Sequence, residues 1–176
     1  KTYYGFQRLV ALFVLPMGVG IFVFQDFVTS ILLGNNWMEA SGFIGIWGLT
    51  SALTIVCSYF SSEVYRSKGK PKISLFVQLI HLVFLVPTLI LSASQGFKTL
   101  YIARAIVRVQ LILTAVIIMR VCFGFKFIDL IKNIFPTVIS SVVMGVAGYF
   151  LNLISSGIIW QIFAVLICII VYFAVL

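Results

Sequence analysis

The sequence predicts an all-α integral membrane protein, a six-helix transmembrane bundle. Three observations carry this. Hydrophobic residues make up 62% of the 176 residues and charged residues only 9%, with a mean hydropathy of +1.22; a soluble domain has about a quarter of its residues charged. The apolar residues fall into six runs, each close to the roughly 20 residues that a helix needs to cross a hydrocarbon core about 30 Å thick. None of the runs shows the period-two alternation of a barrel strand, and only helices and closed barrels satisfy their backbone groups in lipid.

The elements follow in order. The first run, 6–24, holds Pro16 and continues as QDFVTSILLG toward the interface, where Gly34 is a natural helix stop. The second, 40–62, carries Gly42, Gly45 and Gly48, small residues of the kind that let helices approach closely. It ends in SSEVYRSKGKPK (Ser61–Lys72), where Gly69 and Pro71 supply turn chemistry. The third run is 73–93 and contains Pro87; the fourth is 99–120. FGFKFIDLIKN (Phe123–Asn133) reads either as a short helix lying in the interface, with Lys126, Asp129 and Lys132 at helical spacing, or as a plain loop. The fifth run, 134–151, has Ser141, Gly145 and Gly148 for close packing, and the sixth is 157–176. Residues 1–176 thus form one bundle. The chain starts without Met and stops inside an apolar run, so a fragment of a longer polypeptide is expected. Cys57, Cys122 and Cys168 have no metal-ligand spacing and read as small core hydrophobes.

Charge sets the topology. Six spans place the N-terminus, the 63–72 loop, the 121–133 loop and the C-terminus on one side. That side holds Lys1, Arg8, Arg66, Lys68, Lys70, Lys72, Arg120, Lys126 and Lys132, nine of the twelve cations. The opposite loops hold Lys98 with Asp26 and Glu39. Short loops rich in Lys and Arg stay in the cytoplasm, so the cation-rich side is expected to be cytoplasmic. The formal net charge of +8 is accounted for by topology signals. No soluble basic face with interleaved aromatics exists, so no nucleic-acid partner is expected.

Two places break the apolar rule. In YIARAIVRVQ, Arg104 and Arg108 lie one turn apart and share a face; in SLFVQLIHLV, Gln78 and His81 share a face at i, i+3. At about 1.5 Å per residue, His81 lies roughly 12 Å in from Ile73, and Arg108 roughly 13 Å in from Thr99 on the other side. Both positions are near the bilayer midplane, at the same depth if the two helices are antiparallel neighbours. A guanidinium there costs at least about 2.5–3.5 kcal/mol on insertion scales, and no acid lies within a span at matching depth. Arg104 reads either as a snorkelling side chain near the outer interface or as a cavity residue; Arg108 is too deep to snorkel easily. His81 and Gln78 read either as interhelical hydrogen-bonders or as ligands. A cationic cavity suits an anion such as a phosphate or diphosphate, which arginine holds in bidentate geometry. A single His and four acids, three of them at span ends or in loops, offer no nucleophile–base pair. No enzyme activity, metal or cofactor is expected.

These residues carry a resemblance. ILLGNNWMEASGFIGIWGL, then SSEVYRSKGKPKISL, then a helix with Pro87 and finally ARAIVRV resemble the C-terminal half of a polysaccharide-type flippase of the multidrug/oligosaccharidyl-lipid/polysaccharide exporter superfamily. O-antigen, capsule and teichuronic acid exporters belong to that branch. The resemblance implies one half of a two-bundle transporter that encloses a central cavity. It implies export of polyprenyl-diphosphate-linked oligosaccharide across the bacterial plasma membrane by alternating access. The expected partners are membrane lipid, the lipid-linked oligosaccharide and the N-terminal half of the same transporter. Arg104, Arg108, His81 and Gln78 are the candidate substrate-binding residues. The alternative from the same superfamily is an organic-cation antiporter, which would want an acid inside a span. A membrane-bound sugar transferase would need a large external loop, and the outer loops here are short.

Overall fold

The computed structural model describes residues 2–124, 127–155 and 157–176, and these are all-helical. Eight α-helices appear in order: α1 (Thr2–Val23), α2 (Gln25–Leu32), α3 (Ser41–Thr54), α4 (Phe60–Ser67), α5 (Pro71–Ala93), α6 (Phe97–Phe123), α7 (Phe127–Ile154) and α8 (Ile158–Val175). A 3-10 segment, Asn35–Ala40, leads into α3, and a π-helical segment, Ile55–Tyr59, joins α3 to α4. Six stretches are long and apolar enough to cross a membrane, the second of them running from Asn35 through Ser67. The chain is therefore a multi-pass membrane protein.

Several expected boundaries shift. The first run ends at Val23, one residue from the expected 24, and α2 follows it, whereas the second is three helical types in series rather than one α-helix. FGFKFIDLIKN is not a separate interfacial helix or a loop over its whole length, because helical backbone runs unbroken from Phe127 into the fifth span. Pro136 sits inside that helix, past its second turn, where proline has no N–H to complete the i→i−4 hydrogen bond. Lys1, Lys126 and Ser156 lie outside the described residues, as does the side chain of Asp129. Gly34 ends α2 as expected: its φ of 83° is a conformation that glycine adopts without steric cost. Its N–H is hydrogen-bonded to the Thr29 and Ser30 carbonyls at 3.2 and 3.1 Å.

The packing order runs α5, α6, α3, α1, α7, α8, with α1 and α3 at its centre. Small residues set the close approach. A side chain at Gly18 would fall on Ala52, one at Gly48 would meet Ile21, and one at Gly145 would meet Val19. Van der Waals contact and hydrogen bonds must hold such helices together, because lipid competes for apolar surface. Long-range bonds from side chains to backbone do part of this. Gln7 Nε2 donates to the Val56 carbonyl at 3.0 Å, Tyr65 Oη to that of Ala115 at 3.2 Å, and Tyr172 Oη to that of Leu12 at 2.7 Å. Cys168 is buried and Cys57 half-buried, but Cys122 is exposed on the last turn of α6, so it does not pack in a core.

Candidate functional site

Three helices bring short polar stripes to one place. On α3 the stripe is Trp47, Ser51 and Thr54; on α6 it is Arg104, Arg108 and Leu111; on α5 it is Gln78, His81 and Leu85. Each triplet is spaced by three and four residues, so its members lie along one face. Because α6 packs on α5 on one side and on α3 on the other, the three faces converge. They enclose a cavity of about 190 Å³ lined by Thr54, Gln78, His81, Leu85, Arg104, Arg108 and Leu111. At about 30 Å³ per water, that is room for roughly six waters or one tetrahedral anion with part of its shell.

All four residues singled out from the sequence line this cavity. Arg104, Arg108 and His81 are half-buried, and Gln78 is exposed on α5. Arg104 forms part of the cavity wall. Its guanidinium carbon lies 4.7 Å from the centre of the Trp47 ring, and that of Arg108 lies 3.5 Å from the same centre. Arg108 Nη1 also donates to Ser51 Oγ. A π face attracts a cation by its quadrupole and keeps the charge available, whereas a carboxylate would neutralise it. No carboxylate lines the cavity. An ion pair joins Glu63 to Arg66, 3.5 Å apart and exposed near the end of α4.

The walls are ordered on both sides. Phe43 lies 5.3 Å from Trp47, 5.9 Å from Phe97 and 6.3 Å from Tyr101, ring centre to ring centre. This aromatic group occupies the first turns of α3 and α6 and backs the indole that carries the arginines. On the α5 side, His81 Nδ1 faces Gln110 Oε1 at 3.4 Å. Gln110 Nε2 donates to Thr114 Oγ1 at 2.8 Å, and that hydroxyl donates to the Gln110 carbonyl at 2.9 Å. Thr54 Oγ1 donates to the Thr50 carbonyl at 2.7 Å, which leaves its lone pairs for the cavity.

Trp47, Ser51, Thr54 and Gln110 are functional neighbours that the sequence reading did not name. A signal for the first three exists. Trp belongs in interfacial belts, and a Trp well inside the second run, followed by hydroxyls four and seven residues on, is a polar stripe on an apolar helix.

Chemically, the arrangement can hold an anion. Two guanidiniums offer fixed positive charge and paired N–H donors, and the amide and imidazole add hydrogen bonds. Among the described residues no cluster of His, Cys, Asp and Glu is built to hold a metal ion. A second, larger cavity of about 540 Å³ lies between α1, α2, α7 and α8, and its walls are almost wholly apolar. It has no groups that could bind a charge.

No curated protein and no solved structure matches the chain significantly. Residues 1–42, which comprise α1, α2 and the lead into α3, match the family model described as "Polysaccharide biosynthesis protein". That stretch ends before Thr54, the first residue of the cationic cavity, so the likeness to polysaccharide biosynthesis proteins and the anion-suited cavity are independent observations.

Proposed function

We propose that the protein is part of a flippase that moves a polyprenyl-diphosphate-linked oligosaccharide across the bacterial plasma membrane for surface polysaccharide assembly. The observation that carries this reading is the convergence of Arg104, Arg108, His81 and Gln78 on one cavity within the spans. The family likeness over residues 1–42 supports the polysaccharide context. In this reading the arginines hold the diphosphate and Gln78 with His81 bonds its oxygens or the first sugar. The bundle works with an N-terminal half of the same transporter, and the cavity opens alternately to the two sides. The cation-rich turns face the cytoplasm, in keeping with short basic loops. A pocket bearing two guanidiniums repels an organic cation, which argues against an antiporter of that kind.

The test is the paired substitution Arg104→Gln with Arg108→Gln in the complete transporter. Each charge-assisted hydrogen bond is worth about 1.5–3 kcal/mol, so losing both should weaken headgroup binding by a hundredfold or more at about 1.4 kcal/mol per decade. Surface glycan should fall to near background while protein level stays normal. Undiminished glycan export would remove the role given to the arginines.

A further inference from the structure

The apolar cavity between α1, α2, α7 and α8 has dimensions that select what can fill it. Along α1 it runs from Leu12 to Ile21, about 14 Å at 1.5 Å per residue. It continues past the break at Phe24 to Phe27 and Val28 on α2. Along α8 it runs from Val165 to Phe173, about 12 Å. One leaflet of hydrocarbon is half of about 30 Å. The cavity is therefore a trough about as long as one leaflet is deep, set among stretches of α1, α7 and α8 apolar enough to cross a membrane. Phe24, Met144, Cys168 and Tyr172 form a buried floor, while Phe13, Met17 and Phe173 on the rim are exposed. The trough opens sideways, toward hydrocarbon.

Volume narrows the occupant further. An apolar cavity of about 150 Å³ holds benzene, six carbons. On that scale the trough's volume of about 540 Å³ takes roughly twenty carbons, the size of one fatty acyl chain. Spread over about 14 Å, the same volume is a cross-section of roughly 40 Å², half that of a bare helix about 10 Å across. A further span is too thick to enter. Nothing in the walls reads a headgroup, since the Tyr172 hydroxyl is spent on the Leu12 carbonyl at 2.7 Å.

Gly20 is an independent observation. Glycine is disfavoured inside helices, so each one in α1 asks for a reason. Gly18 has one in its contact with Ala52, whereas a side chain at Gly20 would meet nothing within 4 Å. Gly20 lines the trough, and its missing side chain leaves space there instead of drawing a helix close. We propose that the trough binds one acyl chain of a bilayer phospholipid. The headgroup stays at the interface beside α2, which carries Asp26 and leads to the turn at Gly34, and the methyl end lies near Leu12 and Phe173. The chain fills the seam between α1, α7 and α8 and supplies the dispersion contacts that bare walls would forfeit. This site is separate from the arginine cavity and does not depend on the anion reading.

The experiment places the complete protein in phosphatidylcholine nanodiscs with a trace of phosphatidylcholine whose acyl chain ends in a diazirine. Irradiation followed by peptide mass spectrometry locates the adducts. Those at Phe13 and Phe173 should exceed several-fold those at Leu82 and Val83, which are similarly exposed on α5. A phosphatidylglycerol probe with the same chain should label the same residues equally well. Gly20→Leu should cut the trough adducts several-fold and leave those on α5 unchanged; undiminished trough adducts in the folded variant would overturn the proposal. Should that variant fail to fold, the wild-type protein still decides, because equal labelling of the trough and of α5 would also overturn it. Trough adducts that are absent while α5 is labelled would show that protein covers the trough. Trough adducts abolished by adding a polyprenyl phosphate as a minor component would assign it to an isoprenoid. Either result would overturn the acyl-chain assignment and leave the arginine cavity untouched.

Discussion

The guanidinium of Arg108 lies 3.5 Å from the centre of the Trp47 indole, and that of Arg104 lies 4.7 Å from it. One aromatic side chain on α3 thus orients two cations on α6. In water such a contact is worth about 0.5–1 kcal/mol, and about 2 kcal/mol or more when desolvated. That magnitude approaches the insertion cost of about 2.5–3.5 kcal/mol for an arginine at the centre of a span. The indole offsets much of the cost without cancelling the charge.

Trp47→Leu should therefore lower the thermal stability of the purified protein and reduce glycan export in the complete transporter. Trp47→Phe keeps a weaker π face and should lie between Leu and wild type. Melting curves and surface glycan measured on the same three proteins check this. Equal behaviour of Leu and Trp at position 47 would show that the ring does not hold the arginines.

Much of this was legible in the sequence, and the reason is physical. Lipid forbids any backbone arrangement but a few, so hydropathy alone located the six spans. The depth of Arg108 and of His81 followed from helical rise, and their shared cavity agrees with the equal depths that rise assigned. What escaped was governed by tertiary contact. The π segment at Ile55–Tyr59 has no compositional signature, and it exists beside Gln7, whose Nε2 takes the Val56 carbonyl from 49 residues away. Trp47 was hidden for a different reason: an aromatic in an apolar run reads as packing until the cation opposite it is known.

The α1–α3 contact gives a second prediction. A side chain at Gly18 would overlap Ala52 and crowd the Gly48 carbonyl, whereas one at Gly20 would meet nothing within 4 Å. Overpacking a tight contact costs about 1–3 kcal/mol. Gly18→Val should sharply reduce the monodisperse fraction on size-exclusion chromatography, and Gly20→Ala should leave it unchanged.

Gln7 offers a test in which two effects oppose each other. Its side chain is fully buried; Nε2 is bonded to Val56 at 3.0 Å, and Oε1 has no hydrogen-bond partner. Gln7→Leu removes a bond worth about 1 kcal/mol and a buried unsatisfied oxygen costing about 1–3 kcal/mol. It also exposes the Val56 carbonyl to an apolar neighbour, a comparable penalty. The net change in melting temperature should be small, with faster hydrogen exchange confined to residues 55–59. Gln7→Glu keeps the shape but buries a carboxylate in place of the donor that Val56 uses, and it should be clearly destabilising at neutral pH.

The last prediction concerns orientation. Alternating spans put the α4–α5 turn at the same end as the start of α1 and the end of α6. Arg66, Lys68, Lys70 and Lys72 crowd that turn, and the Glu63–Arg66 pair beside it is exposed enough to contribute little to stability. We propose that the main work of the cluster is to set topology, since each cation resists transfer across the bilayer. In a variant lacking Cys57, Cys122 and Cys168, a single cysteine at Ser67 should react with a membrane-impermeant maleimide only after the cells are opened, and one at Gln95, in the α5–α6 turn, should react in intact cells. Replacing the four cations of the turn with Gln should let a fraction of molecules insert with the opposite pattern. Labelling at Ser67 in intact cells of the unsubstituted turn would reverse the assigned orientation. The aromatic group of Phe43, Phe97 and Tyr101, at the starts of α3 and α6, would then lie toward the cytoplasmic side of the bundle instead of the outer one.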